Sequence, residues 1–91
     1  MKNLDLSVVR KIVCELVEYD FADEVKEMSE EEFLNCWFED DLGFDSLDMI
    51  CVSMHIERET GLSLDPDNEK MIVNSDCTVR KFIEEFNKYL N

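Results

Sequence analysis

The sequence predicts a single all-α domain, and three features of the chain support that prediction. Apolar residues recur mostly at the three- and four-residue spacing of an α-helix. Gly43, Gly61 and Pro66 are the only glycine and proline residues, so there is little of the turn chemistry that hairpins need. The length of 91 residues allows one small domain, to which we assign residues 1–91.

The first helix is predicted to begin near Asp5 or Ser7. The evidence for this helix is one apolar stripe with helical periodicity, formed by Val9, Ile12, Val13, Leu16 and Val17. The periodicity lapses over residues 20–28, which are predicted to form a long connection. Ser29 and Glu32 then have the spacing of a capping box, so a short helix is expected there, through Phe33, Leu34 and Trp37.

The longest predicted helix follows a turn that contains Gly43. Glycine there supplies a backbone position free to take a positive φ, and Asp45 or Ser46 is expected to cap the helix that follows. This helix is predicted over residues 47–59, with Gly61 just beyond its carboxyl end.

Two more helices are predicted in the last third of the chain. Asp65 followed by Pro66 matches an N-cap and a first helical position, which predicts a short helix through Met71 and Ile72. Thr78 is expected to cap the final helix, whose core stripe comprises Val79, Phe82, Ile83, Phe86 and Leu90.

The charge of the chain narrows the classes of partner. Nine Lys and Arg residues against 23 Asp and Glu residues give a formal net charge of −14. Such a charge repels phosphate backbones and anionic lipids, so we expect no nucleic-acid binding and favour basic protein partners. No apolar run is long enough for a membrane span and the amino end lacks a signal-peptide pattern, so a cytoplasmic protein is expected.

Catalytic and metal sites are not predicted. His55, the only histidine, follows Ser46 by nine residues, roughly 13 Å along one helix, so no nucleophile and base pair can be drawn and we expect no enzymatic activity. No CxxC pair is present, so a zinc or redox site is not expected. Reduced, partly buried thiols are expected for all of the cysteines, namely Cys14, Cys36, Cys51 and Cys77.

The longest predicted helix carries two apolar stripes on nearly opposite sides. One stripe comprises Met49, Val52 and Ile56, and the other comprises Leu47, Ile50, Cys51 and Met54. Periodicity leaves two alternatives open. Either the helix is central and buried on both sides, or one stripe is exposed as a protein-binding surface beside the acids Asp45, Asp48 and Glu57.

Residues 41–48, with the sequence Asp-Leu-Gly-Phe-Asp-Ser-Leu-Asp, resemble the attachment motif of the acyl carrier proteins. The resemblance extends from Phe38 to the final helix. It implies an antiparallel four-helix bundle, with three long helices, one short helix and a long first loop, in a free-standing monomer. It also implies that Ser46 lies exposed at the start of the second long helix and accepts 4′-phosphopantetheine from coenzyme A.

The function implied by this resemblance is to carry acyl groups as thioesters on the phosphopantetheine arm. The implied partners are a phosphopantetheinyl transferase and the enzymes of fatty-acid, polyketide or related lipid synthesis, which have basic docking surfaces. The implied contact residues are Asp45, Leu47, Asp48, Ile50, Met54 and Glu57. The same resemblance implies that the side chains of Met49, Val52 and Ile56 face the core.

Two alternatives to this function remain at the level of sequence. In the first alternative, Ser46 is only the cap of a helix and carries no prosthetic group. In the second, the chain is an acidic helical protein-interaction module without a prosthetic group. The face of the longest helix also departs from the resemblance, because Cys51 and Arg58 stand where acids are usual and His55 stands where a small residue is usual.

Overall fold

All of the secondary structure in the described residues is α-helical, which confirms the predicted all-α class. The computed structural model describes residues 3–62, Leu64 and residues 74–90. Within these ranges there is no β-strand, only an isolated antiparallel bridge between Trp37 and Thr78. The helices are α1 (Leu6–Leu16), α2 (Tyr19–Glu27), α3 (Glu30–Leu34), α4 (Ser46–Thr60) and α5 (Val79–Leu90).

Helix α1 begins where the sequence predicts. Asp5 is its N-cap, and its Oδ1 atom accepts a hydrogen bond from the Val8 amide at 3.1 Å. A hydrogen bond from the Ser7 hydroxyl also holds the pKa of Asp5 below its ordinary value. The predicted stripe faces the core: its members Val9, Ile12 and Val13 are fully buried.

Helix α2 corrects the predicted connection over residues 20–28, and with it the expectation of a long first loop. An apolar face runs along it at helical spacing. Val25 is fully buried, and Phe21 and Met28 are partly buried against the same core. The segment between α1 and α4 therefore holds two helices, of which α3 has the predicted capping box at Ser29 but ends at Leu34, short of Trp37.

The two ends of α2 explain why the sequence does not predict this helix. Its N-cap residue, Glu18, makes no capping hydrogen bond. Its carboxyl end is instead held by α1, because Arg10 donates hydrogen bonds to the carbonyl oxygens of Lys26 (3.3 Å) and Met28 (2.7 Å). These contacts satisfy carbonyls that a helix end leaves without partners.

The last two helices have the predicted caps. Gly61 follows α4 with a φ of 76°, a left-handed conformation that suits glycine, and its amide bonds the Glu57 carbonyl at 2.8 Å. The Thr78 hydroxyl accepts a hydrogen bond from the Lys81 amide at 3.1 Å at the start of α5. The short helix predicted to begin at Asp65 lies outside the described residues.

An aromatic cluster joins the residues before α4 to α5. The Phe38 ring packs edge-on against Phe82 at 5.3 Å and lies 5.8 Å from Phe44. The backbone reinforces these contacts, because the Phe38 amide donates to the Cys77 carbonyl at 3.0 Å. All three rings are buried, so the chain that leads into α4 is anchored on the core.

The thiols are free, and three of them are at least partly buried. Burial raises the pKa of Cys77 to about 11 and also raises the pKa of Cys14 and Cys36, which disfavours the reactive thiolates. Cys51 is exposed, which corrects the expectation that it is partly buried.

A helix that could cross a bilayer is not found in the described part of the chain.

A matched pair of substitutions on α4 tests the assignment of its buried face. Ile56→Ala is expected to lower the free energy of unfolding by about 2–5 kcal/mol, because it removes a fully buried side chain and leaves a cavity. Ile50→Ala makes the same kind of truncation at a side chain that is 40% exposed, and should cost much less. Urea unfolding of both variants measures the difference, and equal losses would show that α4 is buried on both sides.

Candidate functional site

The start of α4 is fixed by reciprocal hydrogen bonds between two aspartates. Asp45 Oδ1 accepts from the Asp48 amide at 2.9 Å, and Asp48 Oδ2 accepts from the Asp45 amide at 3.0 Å. These bonds form a capping box in which Asp45 is the N-cap. The sequence predicts either Asp45 or Ser46 as the cap of this helix. The structure shows that Asp45 is the cap, so the interpretation of Ser46 as a helix cap is wrong.

Ser46 is the first residue of α4, and it is exposed. Its hydroxyl makes no hydrogen bond with any residue in the described ranges. Ser7, the second residue of α1, differs in this respect because its hydroxyl donates to Asp5 at 2.6 Å. The Ser46 hydroxyl is thus accessible and has no partner in the part of the chain that the structure describes, as an attachment point requires.

The backbone before Ser46 holds it in place. Gly43 takes a φ of 74°, as the sequence predicts, and Leu42 and Phe44 on either side of it are buried. The Phe44 amide donates to the Phe38 carbonyl at 2.7 Å. The turn therefore presents Ser46 at the surface on a backbone that is anchored on both sides of the glycine.

The surroundings of Ser46 combine backbone amides, which favour an anion, with carboxylates, which favour a cation. The amides of Ser46 and Leu47 have no acceptor among residues 3–62, 64 and 74–90, and together with the helix dipole they favour an anion at this helix start. Four aspartates lie in the same stretch of chain, at positions 40, 41, 45 and 48. Each carboxylate of the capping box uses one oxygen within the box, so the other oxygen remains available to a cationic partner.

A cavity of about 350 Å³ lies beside the start of α4. The end of α1, the start of α2 and the residues that precede α4 form its walls. Glu18, the N-cap of α2, and Phe21 within α2 belong to these walls, although no role is predicted for them from the sequence. The signal that points to them is the helical spacing of Phe21, Val25 and Met28 in a stretch otherwise rich in acids.

The two stripes of α4 are separated as the resemblance implies. Met49, Val52 and Ile56 are fully buried. The opposite stripe is exposed and forms a ridge, which we call the α4 ridge: Leu47 (71% exposed), Ile50 (40%) and Met54 (63%). Glu57 and Cys51 are exposed on the same helix. The alternative in which α4 is buried on both sides is therefore wrong.

The carboxyl half of α4 is less acidic than its start. Lys11 of α1 forms an ion pair with Glu59 at 2.9 Å, and this hydrogen bond lowers the pKa of Glu59 and raises that of Lys11. His55 Nδ1 lies 2.8 Å from the Cys51 carbonyl oxygen. Arg58 is exposed, and no ion pair joins it to a described residue.

His55, the only histidine of the chain, does not lie beside Ser46. His55 is engaged with the backbone one turn before it, in the later half of the helix whose first residue is Ser46. Among the described residues, there is no group of three or more His, Cys, Asp or Glu side chains that could hold a metal ion. What the site presents is an accessible hydroxyl on a rigid helix start, next to carboxylates and an exposed apolar ridge.

Comparison with known proteins adds no relatives: no family model, no curated protein and no solved structure matches the chain.

The assignment of Asp45 as the cap predicts that substitutions at Asp45 and at Ser46 have different effects on stability. Asp45→Ala removes the side chain that accepts from the Asp48 amide, and should lower the free energy of unfolding by about 0.5–2 kcal/mol. Ser46→Ala should leave stability nearly unchanged, because the hydroxyl makes no such bond. Thermal and urea unfolding of both variants test this, and a larger loss for Ser46→Ala would contradict the assignment.

Proposed function

We propose that the chain is an acyl carrier protein, in which Ser46 holds a 4′-phosphopantetheine arm and the arm carries acyl groups as thioesters. The observation that carries this proposal is the exposed hydroxyl of Ser46 at the first position of α4, which makes no hydrogen bond to a described residue. It stands within the motif that resembles the acyl carrier proteins, at the place where that motif requires the attachment point.

The capping box gives the motif a physical rationale. Asp45 and Asp48 satisfy each other's amides, so the helix begins without help from the serine hydroxyl. The free amides and the positive end of the helix dipole favour the phosphate of the arm. The surrounding carboxylates oppose that phosphate, so we assign them to cationic partners, which they attract from a distance.

The proposed fold is an antiparallel four-helix bundle with three long helices and one short helix. α1, α4 and α5 supply the long helices, and the short helix predicted to begin at Asp65 and Pro66 would be the fourth. α2 and α3 occupy the segment for which the resemblance implies a long first loop. α1 contacts α2, α3 and α4, so α1 ties the additional helices to α4.

The α4 ridge is the proposed docking surface. Its side chains are large, apolar and exposed, while acids stand at the start of the helix and at Glu57. An apolar centre with a charged rim is the usual anatomy of a transient protein interface. The partners would be a phosphopantetheinyl transferase and acyl-processing enzymes with basic surfaces, and a monomer in the cytoplasm suits that role.

The ridge also suits a second candidate, an acidic interaction module without a prosthetic group. That candidate uses the same exposed side chains and the same net charge of −14. It assigns no role to the free hydroxyl of Ser46. Modification of this serine therefore discriminates between the two candidates.

Phosphopantetheine transfer tests the carrier function directly. Incubation with coenzyme A, magnesium and a promiscuous phosphopantetheinyl transferase should add one phosphopantetheinyl group, detected by intact mass. Ser46→Ala should abolish the gain. Ser7→Ala is the matched control, because Ser7 is also exposed in the first turn of an aspartate-capped helix, and it should be modified like the wild type.

Two outcomes would refute the carrier function. One is a wild-type chain that is folded but never gains the group. The other is modification that persists in Ser46→Ala.

Truncation of the α4 ridge tests the docking surface. Leu47→Ala and Met54→Ala remove exposed contact area without touching the core, so each should lower kcat/KM of the transferase roughly fivefold, about 1 kcal/mol. Trp37→Ala is the control, because Trp37 is also a large exposed apolar residue, 42% exposed, but lies outside α4. Equal losses in all three variants would show that the ridge has no special role.

A further inference from the structure

The exposed face of α4 continues beyond the apolar ridge to a single cation. Arg58 follows Met54 by four residues and Leu47 by eleven, so the three side chains lie on the same face of the helix. Cys51 lies between Leu47 and Met54 on this face and is exposed. The centre line of the face is therefore apolar and ends in a guanidinium, with no acid on it.

Neither acid next to Arg58 in the sequence forms an ion pair with it. Glu59 is held by Lys11 of α1 at 2.9 Å, so its carboxylate is engaged on the side of the helix that faces α1. Glu57 precedes Arg58 directly, and adjacent helical residues do not face each other. Arg58 makes no ion pair within the part of the chain that the structure describes.

The centre line of the α4 ridge thus has acids at its start and Arg58 at its far end, while the exposed Glu57 flanks that end on the side of Ile50. Asp45 and Asp48 lie at its start and each has a carboxylate oxygen free of the capping box. Asp48 and Arg58 are ten residues apart, about 15 Å along the helix. At physiological salt the Debye length is about 8 Å, so a partner experiences the two ends separately rather than as one average charge.

We propose that the partner of this face is a protein surface with a cationic side chain opposite Asp48 and a carboxylate opposite Arg58, on either side of an apolar hollow that receives Leu47 and Met54. The inference rests on the docking surface of the proposed function and deepens it. A carboxylate is the natural partner of a guanidinium, which it binds with two parallel hydrogen bonds. A uniformly basic surface meets repulsion at Arg58, so this residue discriminates against such partners.

A selection experiment tests the charge pattern of the partner without needing its identity. The probe is a displayed library of helical peptides with a fixed leucine face and two variable positions, spaced to match the ~15 Å separation and drawn from Lys, Gln and Glu. Against the wild-type chain, peptides with Lys at one position and Glu at the other should be enriched over peptides with Lys at both. Against Arg58→Glu this preference should invert, a change in the enrichment ratio of about tenfold or more.

Two control variants locate the effect. Lys26→Glu makes the same charge change at an exposed lysine of α2, and should give the wild-type preference. Leu47→Asp places a charge on the apolar ridge at a side chain that is 71% exposed, so it should abolish enrichment without unfolding the chain.

The proposal is overturned if the wild type enriches peptides with Lys at both positions as strongly as Arg58→Glu does. It is also overturned if nothing is enriched, or if enrichment survives Leu47→Asp. The selection uses no transferase and no coenzyme A. Its failure is therefore distinguishable from failure of the carrier function, which is read by mass at Ser46.

Discussion

The reciprocal hydrogen bonds between Asp45 and Asp48 are the interaction on which the rest of the site depends. Because each aspartate satisfies the other's amide, α4 begins at Ser46 without using the serine hydroxyl. Burial of Met49, Val52 and Ile56 in the core orients the helix that begins there, with Leu47 outward. The accessible hydroxyl follows from the cap, and the exposed apolar ridge follows from the packing of the opposite stripe.

That arrangement needs a rigid support, which comes from residues distant in the chain. Phe38 and Phe44 bury their rings beside Phe82 of α5, and the backbone of Phe38 bonds the residue before Thr78. The start of α4 is therefore tied to the far end of the chain. Attachment of a flexible arm to Ser46 would leave this support intact, since the serine takes no part in it.

The sequence predicts the elements whose signals are local and fails where they are not. α1 and α4 begin at side-chain caps that can be recognised in the sequence. α2 has no such cap at Glu18, and its far end depends on Arg10 of another helix. Periodicity alone likewise leaves open which side of α4 is buried, and it gives no sign that Glu59 pairs with Lys11 of α1.

The carrier function is tested most directly by the mass of the protein purified from its own host. The account predicts a main species heavier than the sequence by one phosphopantetheinyl group, with or without an acyl group, and fragmentation should place the added mass on Ser46. A protein found entirely at the mass of its sequence, in cells that modify other carrier proteins, would contradict the account and favour an interaction module that lacks a prosthetic group.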